Sequence, residues 1–195
     1  MVVDDFEIPL DWPRVLGVDF GGANTGAIHL AESNQYTKSG LSIWYAYKCT
    51  LSGNKSSKEH VDEQKRILDG VKSFEVCGGA PSETQPRMDW SSAGLFVNAP
   101  IISDVESGID RVTQLLKDNR LRVFRSLRGV IDELGRYQRK VDDLGNPTTD
   151  ILNKSRFHRL DMLRYAGIHI ISGQAAKDWF NATIKAAEEM RNVSN

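Results

Sequence analysis

Little in this chain suggests a covalent staple or a membrane anchor. Its 195 residues include two cysteines, Cys49 and Cys77. They lie far apart and outside any CxxC or Cys/His spacing, so neither a disulfide framework nor a zinc site is indicated. Two reduced, buried thiols are the expectation. No run of about 18 apolar residues occurs, so no membrane span is expected. The acidic amino end has no basic n-region or apolar h-region, so no secretory signal is expected. A formal net charge of −1 gives no global basic field for nucleic acid or anionic membrane, although charge can still gather locally. Internal repeats, low-complexity tracts and a second core are also missing. What is there is ordinary for a globular chain: 40% hydrophobic and 26% charged residues, long enough for one domain with a full core. A single domain over residues 1–195 is therefore expected.

Residues 1–14 read as an irregular, apolar lead-in, Ile8-Pro9-Leu10-Asp11-Trp12-Pro13, packing across a sheet edge. Three strands follow, Val15 to Phe20, about Thr25 to Glu32, and about Leu41 to Leu51. Their short polar links predict antiparallel hairpins. Ser56 or Ser57 caps a helix to about Lys72. A fourth strand, Ser73 to Cys77, leads into the turn Gly78 to Glu83, a short helix through Ala93, and a fifth strand, Leu95 to Val97. The order changes here from hairpins to strand–helix–strand units, which predicts an α/β fold with a mixed sheet and helices on its faces. Further helices are expected over Val105 to Asn119, Leu127 to Tyr137, Arg156 to His169 and Gln174 to Arg191, and a strand over Leu121 to Phe124. The turn Asp142-Asp143-Leu144-Gly145-Asn146-Pro147 predicts an extra β-hairpin between Gln138 and Ile151. The segment 174–195 forms a C-terminal helix on this reading.

The acids that do not belong to a solvated face carry the chemistry. Asp19 ends the first strand on the face of Val15 and Gly17, where an ionised carboxylate is costly unless paired or bound to metal. Gly21-Gly22 then allows a tight turn and close backbone approach. Glu83 follows Gly78-Gly79 at the end of the fourth strand, and Asp161 lies beside the apolar stripe of Phe157, Leu160 and Leu163, with His158 three residues before it. Acids at the carboxyl ends of adjacent strands meet where open α/β sheets bind ligands. Carboxylates with no Cys and little His prefer Mg²⁺ or Mn²⁺, and two such ions about 4 Å apart clamp the attacking and leaving oxygens of a phosphodiester. Glu133, three residues before Arg136, reads as a structural partner of that arginine.

Three stretches together resemble the nuclease domain of tailed-phage terminase large subunits, which has a ribonuclease H-like fold. They are Ile8-Pro9…Trp12-Pro13-Arg14…Gly17-Val18-Asp19-Phe20-Gly21, then Gly78 to Trp90 followed by Ala93-Gly94-Leu95, then Asp132-Glu133-Leu134-Gly135-Arg136-Tyr137 with Phe157 to Ala166. With the helix starting at Val105 they run in order from Ile8 to Ala166.

The resemblance implies a metal-dependent endonuclease that cuts phage DNA during packaging, using two divalent ions, Mg²⁺ or Mn²⁺. It sets three antiparallel strands before the parallel ones. Asp19 and Asp161 match the first and last catalytic acids of the family. The place of the middle acid holds Gly79-Ala80, leaving Glu83 as the substitute and Asp89 as runner-up. His158 becomes a neighbouring proton-handling group. Arg136, Arg139, Lys140, Lys154, Arg156 and Arg159 form a local basic excess expected to follow the phosphate backbone of double-stranded DNA. Implied partners are the packaging ATPase, small terminase and portal, in the cytoplasm of the host cell. The chain lacks the GxxxxGK[ST] loop of the packaging ATPase and starts where the nuclease begins, so an excised domain or a separately encoded nuclease is expected. A Holliday-junction resolvase-like nuclease and a non-catalytic module of a packaging motor are the rival readings. The sugar-kinase and actin-like fold also ends its first strand in Asp and glycines, but needs a second phosphate-binding turn and a longer chain.

Overall fold

Alternation of side chains along β2 (Arg14–Phe20) sends Val15, Gly17 and Asp19 to one face of a sheet and Leu16, Val18 and Phe20 to the other. In the computed structural model, which describes residues 1–173, β2 lies inside a six-stranded sheet. With β1 (Val2–Val3), β3 (Thr25–Tyr36), β4 (Ser42–Ser52), β5 (Phe74–Gly78) and β6 (Leu121–Phe124), the spatial order is β1-β6-β4-β3-β2-β5. β2, β3 and β4 pair antiparallel, while β5 joins β2 and β6 joins β4 in parallel. A separate two-stranded hairpin, β7 (Arg139–Val141) and β8 (Pro147–Ile151), stands off this sheet. The expected ribonuclease H-like architecture is therefore the observed one.

The helices form for local reasons. α1 (Ser57–Ile67) begins with a full capping box: Ser56 accepts from the Glu59 amide and Glu59 reaches back to the Ser56 amide. α3 (Val105–Lys117) is capped by Asp104, which accepts from the Ser107 amide at 2.7 Å. α2 (Thr84–Ser92) and α4 (Arg128–Arg136) have no capping side chain at the residue before them. A 3₁₀ turn, Lys154–Arg156, precedes the last described helix, α5, over residues 158–173.

Two cores sandwich the sheet. On one side Leu16, Val18, Phe20, Ala27 and Val76 pack with Val61 of α1 and Trp90 of α2. On the other, Val15, Ile28, Leu30 and Cys77 pack with Leu163 and Ala166 of α5, Leu115 of α3 and Val130 of α4. α5 comes unusually close to the sheet because β2 and β3 have glycines beneath it. A Cβ on Gly17 would lie 2.9 Å from the Met162 carbonyl carbon and 3.1 Å from Ala166 Cβ; one on Gly26 would meet Met162 Cε at 3.0 Å.

Three expectations change. The lead-in contributes a strand: β1 pairs in parallel with β6, Val2 opposite Val123. Leu95–Val97 is no strand; Leu95 and Val97 fill the core beside Trp90 while Phe96 is exposed, and only Asn98 bridges to Cys77. Short apolar runs read alike as strand or core filler. α1 stops at Ile67, where Leu68 forms the C-cap. The carboxyl-terminal helix expected over 174–191 lies outside the described residues. No helix among the described residues is long and apolar enough to cross a membrane.

Candidate metal centre

The sheet and α5 bring Asp161 near enough to Asp19 for its charge to act on that carboxyl. Asp19 is the penultimate residue of β2 and sits opposite Gly26 of β3. Its side chain is only 14% exposed. Its Oδ2 faces His158 Nδ1 at 3.0 Å, linking the strand end to the first residue of α5. Burial pushes the Asp19 carboxyl above the usual carboxylate range; the His158 contact opposes this and the nearby Asp161 charge adds to it. Gly21 completes this corner: a Cβ there would sit 3.3 Å from His158 Cε1.

Asp161 lies on the first turn of α5 and is 17% exposed. Lys154 Nζ donates to both of its oxygens at 2.6 Å. Arg164, three residues on, donates to Oδ1 from Nε at 3.4 Å and from Nη2 at 3.3 Å. The carboxylate is thus held between two cations.

Glu83 is placed differently. It precedes α2 in the turn after β5, and its Oε2 accepts from the Ala80 amide at 2.5 Å. Asp89 is exposed on α2, where Gln85 Nε2 donates to it at 2.7 Å. Arg87 braces the same turn, donating to the Ala80 carbonyl at 2.8 Å and the Pro81 carbonyl at 3.3 Å. Gly79 there has φ +76, and a Cβ on it would press on Arg87 Nη1 and the Phe20 ring at 2.8 Å. The backbone at 79 therefore has no room for an acidic side chain. Among the described residues no three His, Cys, Asp or Glu side chains gather in a group able to hold a metal ion. Asp19 and Asp161 are nonetheless hard carboxylates of the kind Mg²⁺ or Mn²⁺ prefers, and His158 is bonded to Asp19.

Of the six basic residues, five are already paired. Arg139 grips Glu106 of α3 at 2.5 and 3.0 Å, Lys140 faces Asp150 at 3.3 Å, and Arg136 faces Asp132 at 2.8 Å. Arg159 pairs with Glu133 at 2.7 Å, and Lys154 holds Asp161. Arg156 makes no ion pair among the described residues. The expected Glu133–Arg136 pair is replaced by Glu133–Arg159, because Glu133 points inward and is 6% exposed. The direct Lys154–Asp161 contact was not foreseen; a lysine seven residues before the acid, across a change from 3₁₀ turn to α-helix, has no periodic signature. Both thiols are free; Cys77 is buried, whereas Cys49 is only half-buried, its thiol pushed up to about 11 by burial.

A mixed sheet with acids at the strand edge and a covering helix defines a ribonuclease H-like domain. The solved structures it resembles are phage large-terminase nucleases. The nuclease domain of the bacteriophage P22 large terminase matches with a TM-score of 0.65 at 19% identity, covering 86% of each chain. The large-terminase nuclease domain of bacteriophage SPP1 with bound Mn matches with a TM-score of 0.64 at 14% identity, covering 85% of this chain and 93% of that one. The large terminase of a thermophilic bacteriophage matches with a TM-score of 0.67 at 18% identity over 84% of this chain. This chain spans 41% of that protein's length. No protein-family model and no curated protein matches the sequence. At these identities the likeness establishes the fold.

Proposed function

We propose that this chain is a divalent-metal-dependent DNA endonuclease of the large-terminase type, acting during phage genome packaging in the host cytoplasm. The observation that carries the reading is that Asp161 lies close enough to act on the buried Asp19 carboxyl at the end of β2, with His158 bonded to Asp19. The SPP1 nuclease domain of the same fold was solved with bound Mn. Asp19 and Asp161 would hold the metal, and bound ions would supply Lewis-acid polarisation of a phosphodiester and a lowered pKa for water. His158 is anchored through Nδ1, so its remaining ring nitrogen is free to exchange a proton at the site. Two ions require a third carboxylate. Glu83 is the better candidate than Asp89, since it sits in the turn bonded to β2 through the Gly79 amide and Val18 carbonyl at 3.1 Å, whereas Asp89 is exposed on α2. Double-stranded DNA is the substrate, and the packaging ATPase, small terminase and portal are the partners on this reading. The exposed ion pairs of Arg136 and Lys140 are each worth about 0–1 kcal/mol, so phosphates can replace their carboxylate partners without large cost.

One observation favours a second reading. Asp161 already has two cationic partners and, among the described residues, no third acid is gathered, which suits a non-catalytic module of a packaging motor. Plasmid cleavage with Mg²⁺ or Mn²⁺ separates the two. The parent should cut, and Asp19→Asn and Asp161→Asn should not. If the parent does not cut even at high Mn²⁺, the non-catalytic reading holds. If both variants cut like the parent, the site is elsewhere. Preference for four-way junctions over linear duplex would indicate a resolvase.

A further inference from the structure

We infer that Glu133 of α4 is a positioning residue for the metal centre, acting as a cap supplied from another helix to the amino end of α5. This rests on the proposed role of Asp161 and His158. The first N–H groups of any α-helix have no partner within the helix, and a Ser, Thr, Asp or Asn just before it normally accepts from the second or third of them. α5 has Phe157 in that place, since the Asp161 amide donates to the Phe157 carbonyl at 3.1 Å. A phenyl ring accepts no such bond. Glu133 Oε2 does so in its stead, accepting from the Arg159 amide at 2.9 Å and the Leu160 amide at 3.1 Å. Its Oε1 accepts from Arg159 Nη1 at 2.7 Å. The Arg159 side chain in turn packs against Gly129, where a Cβ would come within 2.6 Å of Nε and 2.8 Å of Cζ.

The two capped amides sit between His158 and Asp161 in the sequence. Holding them fixes the rotation and axial height of the one turn from which both functional side chains project. Further along, Met162, Leu163 and Ala166 are fully buried against the sheet, so the rest of α5 keeps its place without the cap. Loss of Glu133 therefore loosens the turn bearing the site more than it loosens the fold. A negative group at a helix amino end is also favoured by the helix dipole.

Backbone hydrogen exchange on the metal-free protein tests the cap directly. In Glu133→Ala the amides of Arg159, Leu160 and Asp161 should exchange at least tenfold faster, while those of Ala166 and Ile168 change little. Glu133→Gln keeps an acceptor oxygen and should restore most of the protection. Mn²⁺ calorimetry and plasmid cleavage then test the consequence: Glu133→Ala should weaken Mn²⁺ binding and lower kcat about tenfold or more. Leu68→Ala, with a core defect at the end of α1, should keep both near the parent after a comparable loss of Tm. Unchanged exchange at 159–161 overturns the inference, and so does Glu133→Ala matching Leu68→Ala in Mn²⁺ affinity and kcat. If the parent neither binds Mn²⁺ nor cuts DNA, the proposed function fails, and the exchange data alone decide whether Glu133 positions this turn.

Discussion

Gly17→Ala is the sharpest probe of how the site is assembled. Gly17 lies on β2 two residues before Asp19, directly beneath α5. An added methyl would overlap the Met162 carbonyl oxygen and lie 2.9 Å from its carbon. Comfortable separation is about 3.5 Å, so α5 must retreat by about 1 Å once the nearer oxygen is cleared. Overpacking of this kind costs about 1–3 kcal/mol, or roughly 2–12 °C in Tm for a domain of this size. Met162 follows Asp161, so the retreat pulls that carboxylate away from Asp19. Misplacement of a reacting group by ~1 Å can cost about 100-fold in rate. Activity should thus fall far more than stability when cleavage is assayed well below Tm. Gly135→Ala is the control: nothing lies within 4 Å of its Cβ, and alanine in a helix favours the fold by about 0.5–1 kcal/mol. If Gly17→Ala melts lower but cuts and binds Mn²⁺ like the parent, close packing of α5 on β2 does not set the site.

Two further outcomes follow from the geometry. Lys154→Ala removes the ammonium from both Asp161 oxygens, so Mn²⁺ should bind about fivefold tighter by calorimetry, equivalent to the ~1 kcal/mol of a partly exposed pair; weaker binding would show that Lys154 assists the ion instead of competing with it. His29 is fully buried, its Nε2–H donating to Gln64 at 2.8 Å, and burial holds its pKa down at about 4 against an ordinary 6.5. The unfolded chain binds the proton first, so the stabilisation is complete above pH 6.5 and lost as pH falls towards 4. The loss is about 3 kcal/mol, and urea titrations should show a shallower pH slope for His29→Leu over that window.

The sheet was legible because β2, β3 and β4 are long, apolar and joined by short polar links. Asp19 stood out because an acid terminates a buried strand, and Asp161 because it borders the helical stripe of Phe157, Leu160 and Leu163. What escaped the sequence are contacts whose partners are distant or aperiodic. Glu133 meets Arg159 across 26 positions, and its neighbour Arg136 looked an equally good partner until α4 turned Glu133 inward. β1 is two residues long and carries no periodicity at all. The turn after β5 was readable as glycine-rich, but not that Arg87 would fill the space beneath Gly79.

β1 also gives the molecule a mechanical character. The lead-in is fastened to the outer edge of the sheet by few bonds: the Val123 and Arg125 amides donate to the Met1 and Val3 carbonyls at 2.9 Å, and Arg125 pairs with Asp4. A tug on the amino end would peel these away one at a time, at low force. The next attachments are Asp5, which accepts from the Ser126 amide at 3.1 Å, Phe6, packed on Tyr45 and Phe124 with ring centroids 5.0 Å apart, and Leu10, whose carbonyl accepts from the Lys72 amide at 3.2 Å. Beyond them β2 is flanked on both sides by full strands, so tension arriving there must break many bonds at once. Pulled from its amino end, the segment would thus give way contact by contact before strain reaches the strand that bears Asp19.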